Sequence, residues 1–102
     1  MDILKEIKEK VLLVETEAEV YLFGSRARND YKEDSDWDLL ILLPGNFDES
    51  RRLNIIGALL DLEIKYNIIF NRIIHSKNFW ETNHLLKQSP FYENVQRDAV
   101  IL

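Results

Sequence analysis

Hydrophobic residues recur in this chain with two different spacings, which predict an alternation of helices and strands. Over residues 2–15 they return every three or four positions, as in an amphipathic helix with a charged outer face. The apolar positions of that helix are Ile3, Leu4, Ile7, Val11 and Val14. Two apolar segments then indicate strands, the first over 18–23 and the second ending at Leu43. The run Leu39–Leu43 is wholly apolar, which is typical of a strand buried on both faces.

A long helix is predicted after Pro44-Gly45-Asn46, which ends the second strand. Asp48 or Ser50 can cap this helix, and it is expected to run to about Lys65, with Asn67 as a left-handed stop. Its apolar positions, which we expect to be buried, are Leu53, Ile56, Leu60 and Ile64.

The last third of the chain continues the alternation. Segment 68–75 is rich in β-branched residues and predicts a third strand. A short helix over 79–86 and a last helix opened by Ser89-Pro90 follow, and residues 100–102 either add a strand or pack on the core. The pattern therefore predicts a single α/β domain over residues 1–102, in which a small sheet of three to four strands is flanked by helices.

The segment between the first two strands carries the chemistry. Gly24 permits a sharp turn and a close approach of backbone to a ligand, and Ser25 offers a hydroxyl and an amide where a helical turn over 25–29 begins. Asp36 and Asp38 are two residues apart where the second strand opens, so both are expected on one face. Two close carboxylates repel each other unless a cation lies between them, and Mg²⁺ commonly uses one or two carboxylates plus substrate phosphates. The segment therefore indicates a site for a nucleoside triphosphate with a divalent metal.

Gly24-Ser25, ten further residues and Asp36-Trp37-Asp38, within GSRARNDYKEDSDWDLLIL, resemble the signature of the minimal nucleotidyltransferases. These belong to the polymerase-beta-like nucleotidyltransferase superfamily, so the resemblance implies its palm-like fold with a mixed sheet. Asn29 stands where the family often has Gly, and Asn tolerates the left-handed conformation. The later SPFYENV and AVIL segments are similar to the C-terminal end of small family members, and the resemblance covers most of the chain.

The side chains around this signature leave alternatives open. Asp36 and Asp38 could be solvated turn residues, but Asp38 leads directly into the apolar strand, where an unligated carboxylate is costly. We therefore expect both aspartates to be catalytic metal ligands, with Gly24 and Ser25 contacting the nucleotide phosphates. Two roles are equally open for Arg26 and Arg28. They could bind the nucleotide phosphates, or they could form solvated ion pairs with nearby acids.

A third carboxylate, which the resemblance implies on the following strand, has no clear counterpart. Segment 68–75 contains no acid, and Asn71 occupies the position where the carboxylate is expected. Asp61 and Glu63 are the alternatives, although the pattern places both on the preceding helix, and Glu63 would reach the strand only if that helix ended early.

The composition of the chain limits the kinds of partner and the cellular compartment that we expect for it. The chain has 102 residues, a formal net charge of −5 and no cysteine, so disulfides and thiolate metal sites are excluded. The negative charge argues against a large duplex nucleic-acid surface, and no apolar run is long enough to span a membrane. A cytoplasmic protein is expected.

The resemblance implies Mg²⁺-dependent transfer of a nucleoside monophosphate, AMP from ATP, to a hydroxyl of a partner protein. Small family members are typically paired with a helical HEPN-type RNase toxin, for which they act as antitoxin. One alternative is a catalytically degenerate nucleotide-binding module that neutralises its partner by occlusion, and another is transfer to a small molecule or RNA. The aromatic residues expected to form the docking surface are Phe79, Trp80, Phe91 and Tyr92.

Overall fold

The computed structural model describes residues 2–102 and contains one four-stranded mixed sheet. Its strands are β1 (Glu19–Phe23), β2 (Trp37–Leu43), β3 (Phe70–Ser76) and β4 (Val100–Ile101). The order across the sheet is β3-β2-β1-β4; β1 is antiparallel to both β2 and β4, whereas β2 and β3 are parallel. The predicted α/β fold, with a small mixed sheet flanked by helices, is confirmed.

Helices connect and cover these strands. They are α1 (Ile3–Val14), α2 (Ser25–Arg28), α3 (Glu49–Tyr66), α4 (Lys77–Thr82), α5 (His84–Lys87) and α6 (Pro90–Asp98). Asp48 caps α3 and Ser89 caps α6 with their side-chain oxygens, and Asn67 ends α3 at φ 53°, as predicted. The weak helix predicted over 79–86 is instead two short helices, because the side chain of Asn83 caps a new helix start. Within residues 2–102, no helix combines the length and apolar character needed to cross a bilayer.

The two faces of the sheet carry cores of different size. On the first face, α1 and α3 pack against β1, β2 and the start of β3. The buried residues of this layer are Ile7, Val11, Val20, Leu22, Leu39, Ile41, Leu43, Ile55, Leu59, Leu62 and Phe70. On the second face, α4 and α6 cover a smaller cluster. Its buried residues are Phe23, Leu40, Leu42, Trp80 and Val95.

The buried face of α3 differs from the prediction. Ile55, Leu59 and Leu62 are the residues that lie in the core. The expected core positions Leu53, Leu60 and Ile64 lie on the opposite side and are 54%, 46% and 72% exposed, and only Ile56 is partly buried. Two apolar stripes therefore run along this helix at helical spacing, and the sequence pattern alone does not distinguish the stripe that meets the sheet. The same holds at the end of α1, where Val14 is exposed.

Candidate active site

Asp38 lies near the start of β2, between the two neighbouring strands. In the antiparallel pair it is opposite Phe23, the last residue of β1, and in the parallel pair it is opposite Asn71 of β3. Its side chain is partly exposed and shares the second face of the sheet with Leu40, since alternate residues of a strand face the same way. Asp36 precedes the first residue of β2 and is exposed. The structure thus places Asp38 on the second face at the start of β2, with Asp36 two residues earlier, just outside the strand.

Gly24 lies directly against the Asp38 carboxylate. The glycine has φ 73° and ψ −158°, a conformation that side chains rarely adopt, and a Cβ built on it would overlap Asp38 Oδ2. The missing side chain therefore leaves the room that the carboxylate occupies. Ser25 follows as the first residue of α2, so the glycine and the serine stand beside the start of β2 as the sequence predicted.

The single turn of α2 is held by its own backbone. The amides of Ala27 and Arg28 donate to the Gly24 carbonyl, each at 3.1 Å, and the turn ends at Asn29 with φ 65°. Asn29 thus takes the left-handed conformation for which the resemblance leads one to expect Gly. The turn directs the chain into the loop that leads to Asp36.

Arg26 holds that loop in place. Its guanidinium donates to the Ser35 carbonyl from Nε at 3.3 Å and from Nη2 at 3.1 Å, and Nη2 also donates to the Glu33 carbonyl at 3.1 Å. The same group lies 4.3 Å from the ring centroid of Tyr31 and 4.2 Å from that of Trp37. The arginine thus fixes the segment immediately before Asp36. These contacts are with backbone carbonyls, and no residue pattern predicts them.

Arg28 lies in a network of charges. It donates to Asp30 from Nε at 3.1 Å and to Asp98 from Nη1 at 2.9 Å. Hydrogen bonds from Arg97 and Arg28 lower the pKa of Asp98 to about 2. The network ties α2 to the end of α6, and the ion-pair alternative considered for Arg28 is the arrangement that the structure contains.

Asn71 occupies the position next to Asp38 where a third carboxylate is expected. Its Nδ2 donates to Asp38 Oδ1 at 2.9 Å. The other two candidates point elsewhere: Glu63 accepts from the Phe70 amide at 2.9 Å and from Arg72 at 2.8 Å, and Asp61 pairs with Lys10 at 3.4 Å. Across residues 2–102, no three acids, histidines or cysteines converge as a metal site.

A hollow of about 260 Å³ opens beside Asp36. Its walls are the loop held by Arg26 and the segment that joins α3 to β3. The lining residues are Arg26, Glu33, Asp34, Ser35, Asp36, Trp37, Asn67, Ile68 and Ile69. A larger hollow of about 480 Å³ lies at the other end of β2 and β3 and contains none of the signature residues. Of the two carboxylates only Asp36 lines the smaller hollow, whereas Asp38 lies against Gly24 outside that lining. We therefore place the candidate site at the start of β2, next to this hollow.

The aromatic residues expected to form a docking surface are largely core. Trp80 is 6% exposed and packs edge-on against Phe91, with centroids 6.1 Å apart, and against Tyr92 at 5.0 Å. The prediction of a surface role was therefore wrong for Trp80, because these rings close the small second layer of the core. Phe79 stays 38% exposed and stacks on His75 at 4.7 Å. Burial in this stack lowers the pKa of His75.

Comparison with known proteins relates the chain to enzymes that transfer nucleotides. Residues 1–95 match the family described as "Nucleotidyltransferase domain". Two proteins of Methanocaldococcus jannaschii, each named "putative protein adenylyltransferase", are 37% identical over 79 residues and 35% identical over 83 residues. The first alignment covers 76% of this chain and 80% of the relative, and the second covers 81% and 75%.

Solved structures give the same relationship. A "putative nucleotidyltransferase" superimposes with a TM-score of 0.56 at 31% identity, covering 82% of this chain and 89% of that chain. Another, from Sulfolobus solfataricus, has a TM-score of 0.56 at 26% identity and covers 97% and 75%.

Proposed function

The chain belongs to the nucleotidyltransferase domain family and is a nucleotidyltransferase, and on that premise we propose that it transfers AMP from ATP to a hydroxyl of a partner protein. The observation that carries the proposal is the close approach of Gly24 to the Asp38 carboxylate, which brings the glycine turn and one residue of the acidic pair into one site. The protein class of the acceptor is supported by the names of the two relatives. We propose that residues 1–102 act as one minimal nucleotidyltransferase domain in the cytoplasm.

The donor set beside Gly24 fits a magnesium ion. Asp36 is exposed, and Asp38 has Oδ2 towards Gly24 and accepts a hydrogen bond from Asn71 at Oδ1. Both side chains therefore have carboxylate oxygens that could bind the ion together with substrate phosphates. When bound, Mg²⁺ would supply charge neutralisation at the phosphates. Asp36 and Asp38 would hold it, and Arg26 holds the backbone of Glu33 and Ser35, immediately before Asp36.

The remaining residues position the nucleotide. Gly24 lets a phosphate approach the backbone, and Ser25 supplies a hydroxyl at the start of α2. Arg28 would bind a phosphate in place of one of its two acidic partners, Asp30 or Asp98. Arg26 contributes by holding the loop that precedes Asp36. The acceptor oxygen attacks the α-phosphorus, the bond from that phosphorus to the bridging oxygen breaks, and pyrophosphate leaves with the electron pair. The acceptor proton passes to solvent, since no side chain of strand β3 is a carboxylate.

We propose a helical HEPN-type toxin as the partner that brings the hydroxyl, with this chain as its antitoxin. AMP adds bulk and negative charge near an RNase site, and both repel an RNA phosphate. A second candidate function is neutralisation by occlusion without transfer. It is favoured by Asn71, which is neutral and offers no base where it meets Asp38.

The test is a transfer assay with ATP labelled at the α-phosphate, Mg²⁺ and a co-expressed partner. We expect the partner to gain one AMP by intact mass, and the gain to disappear with EDTA or in Asp38→Asn. Glu9→Gln, which removes an exposed carboxylate of α1 on the first face of the sheet, is the matched control and should retain activity. A stable but unmodified complex would support occlusion, and label found only on a small molecule would contradict the protein acceptor.

A further inference from the structure

Helix α3 presents an unpartnered apolar stripe on its outer side. The outer stripe consists of Leu53, Gly57, Leu60 and Ile64, whose positions four, three and four residues apart follow one side of a helix. It lies opposite the buried residues of α3, and its three large side chains are 54%, 46% and 72% exposed in chain order. Helices of monomeric proteins usually turn a polar face to solvent, so this stripe needs an explanation.

Gly57 supplies a second and independent observation. It lies in the middle of an 18-residue helix, where glycine is less favourable than any residue except proline. No heavy atom lies within 4 Å of a Cβ built at this position, and the residue is exposed. Nothing within the described chain therefore requires a glycine here. A glycine on an exposed apolar stripe is the feature that lets another helix approach closely.

The order of the stripe identifies the occupant. Read in either direction, its spacing is four, three, four, with a large aliphatic residue at both ends. We infer that α3 of one chain crosses α3 of a second copy in antiparallel orientation, about a two-fold axis between Gly57 and Leu60. Leu60 of each copy then fills the notch at Gly57 of the other, and Leu53 meets Ile64. An interface of this kind is self-complementary, as a two-fold homodimer requires.

The charges beside the stripe are compatible with self-pairing. Ion pairs within the chain neutralise both rims: Glu49 with Arg52, Asp61 with Lys10, and Lys65 with Glu6. In the antiparallel arrangement the exposed Asn54 comes beside Asp61 of the copy, where an amide can donate to a carboxylate. A second copy therefore meets polar, balanced rims and not a field of one sign.

Self-pairing leaves the candidate active site open. Helix α3 covers the first face of the sheet, whereas Asp38 and Asn71 lie on the second, so each copy keeps its own site accessible. A single helix crossing buries little surface, and we expect a reversible dimer with a dissociation constant in the micromolar to millimolar range. The inference does not depend on the reaction proposed above.

Sedimentation equilibrium across that concentration range tests the dimer. We expect the purified chain to dimerise, and both Gly57→Gln and Leu60→Gln to raise the dissociation constant at least about tenfold. Gln at 57 has free space in the monomer and favours the helix, so the monomer should fold at least as well. Leu13→Gln is the matched control, because Leu13 is 78% exposed on α1 and lies outside the stripe.

Cross-linking tests the register. The chain has no cysteine, so a mixture of Leu53→Cys and Ile64→Cys chains should give a disulfide-linked heterodimer on mild oxidation, and a mixture of Leu13→Cys and Ile64→Cys should not. A chain that stays monomeric throughout, or a dimer unaffected by Gly57→Gln, overturns the inference. A monomer whose stripe becomes protected only by a different protein also overturns it and assigns the stripe to that protein.

Discussion

The two faces of the sheet differ in the size of the core that covers them and in whether they carry the candidate site. The first face is covered by the two longest helices, α1 and α3, over a core that is aliphatic except for Phe70. The second is covered by the short helices α4 to α6 over five buried residues, and it carries Asp38 and Asn71 at its open end. A site for a large polar substrate needs access and unburied carboxylates, so the face that hosts it cannot be closed by long helices. The smaller second layer is compatible with an open site, and most of the buried residues lie in the first layer.

The largest expected effect comes from adding an acid to the polar end of the second face. Asn71→Asp should place a carboxylate where the amide now meets Asp38, and positioned proton transfer contributes about 10²–10⁴-fold to rate. We expect faster AMP transfer and, because two carboxylates then face each other, a less stable protein without Mg²⁺. Single-turnover transfer and urea unfolding with and without Mg²⁺ measure the two effects. Asn71→Ala, which adds no base, is the control and should not accelerate transfer.

One pair of results would show that Asn71 does not occupy the position of the third carboxylate. Loss of activity in Glu63→Gln, together with an unchanged rate in Asn71→Asp, would identify Glu63 as the third carboxylate and contradict the observed pairing of Glu63 with Arg72.

Adjacent residues of β2 compare the two core layers directly. Leu39 is fully buried on the first face and Leu40 is 1% exposed on the second. Leu-to-Ala changes in a core cost about 2–5 kcal/mol, and the cost depends on how far the site can collapse. We expect Leu39→Ala near the upper end and Leu40→Ala near the lower end, because short helices border Leu40 and can move. Urea unfolding of both variants measures the difference, and equal losses would show that the layers are equally rigid.

Gly24 tests how tightly the turn and the carboxylate fit. Gly24→Ala combines an unfavourable φ with overlap of Asp38, and we expect a loss of about 1–3 kcal/mol together with reduced transfer. Gly45 has the same φ of 73°, but a Cβ there meets nothing nearer than 3.9 Å. Gly45→Ala therefore isolates the cost of φ alone. Similar effects of the two changes on transfer would contradict the close fit at Asp38.

The smallest expected effect concerns pH and the aromatic stack of the second face. Burial lowers the pKa of His75 in the folded protein, so the unfolded chain binds more protons near neutral pH. The stability contributed by neutral His75 is therefore present above pH 6.5, the ordinary value, and is lost as pH falls below it. Melting temperatures between pH 8 and pH 5 should fall less for His75→Phe than for the wild type. His84→Phe, at an exposed position, should follow the wild type.

The sequence was sufficient for the elements that local chemistry determines. Asp48, Asn67 and Ser89 end or begin helices as predicted, and the Gly24 turn meets Asp38 because the two strands of a hairpin bring its ends together. Features that depend on tertiary contacts were not predictable. Helix α3 has two apolar stripes, and only its packing against the sheet determines which of them is buried.

The same limit applies to side chains with several possible partners. Arg26 donates to carbonyls of a loop whose path no residue pattern specifies, and Trp80 is buried because α6 folds over it. The role of Arg26 and Arg28 in binding phosphate stays a prediction, as does the metal role of Asp36 and Asp38.

The order of the strands also has a consequence for how the chain reaches its native state. Strands β1 and β2 are joined by 13 residues, 24–36, that contain the signature up to Asp36. The parallel pairing of β2 with β3, in contrast, requires α3 to form and dock between them. Local pairings lose less loop entropy and form earlier. Changes in residues 24–36 should therefore slow folding, whereas changes in α4 to α6 should mainly speed unfolding. A substitution in the signature is then expected to change the rate at which the chain folds as well as the reaction.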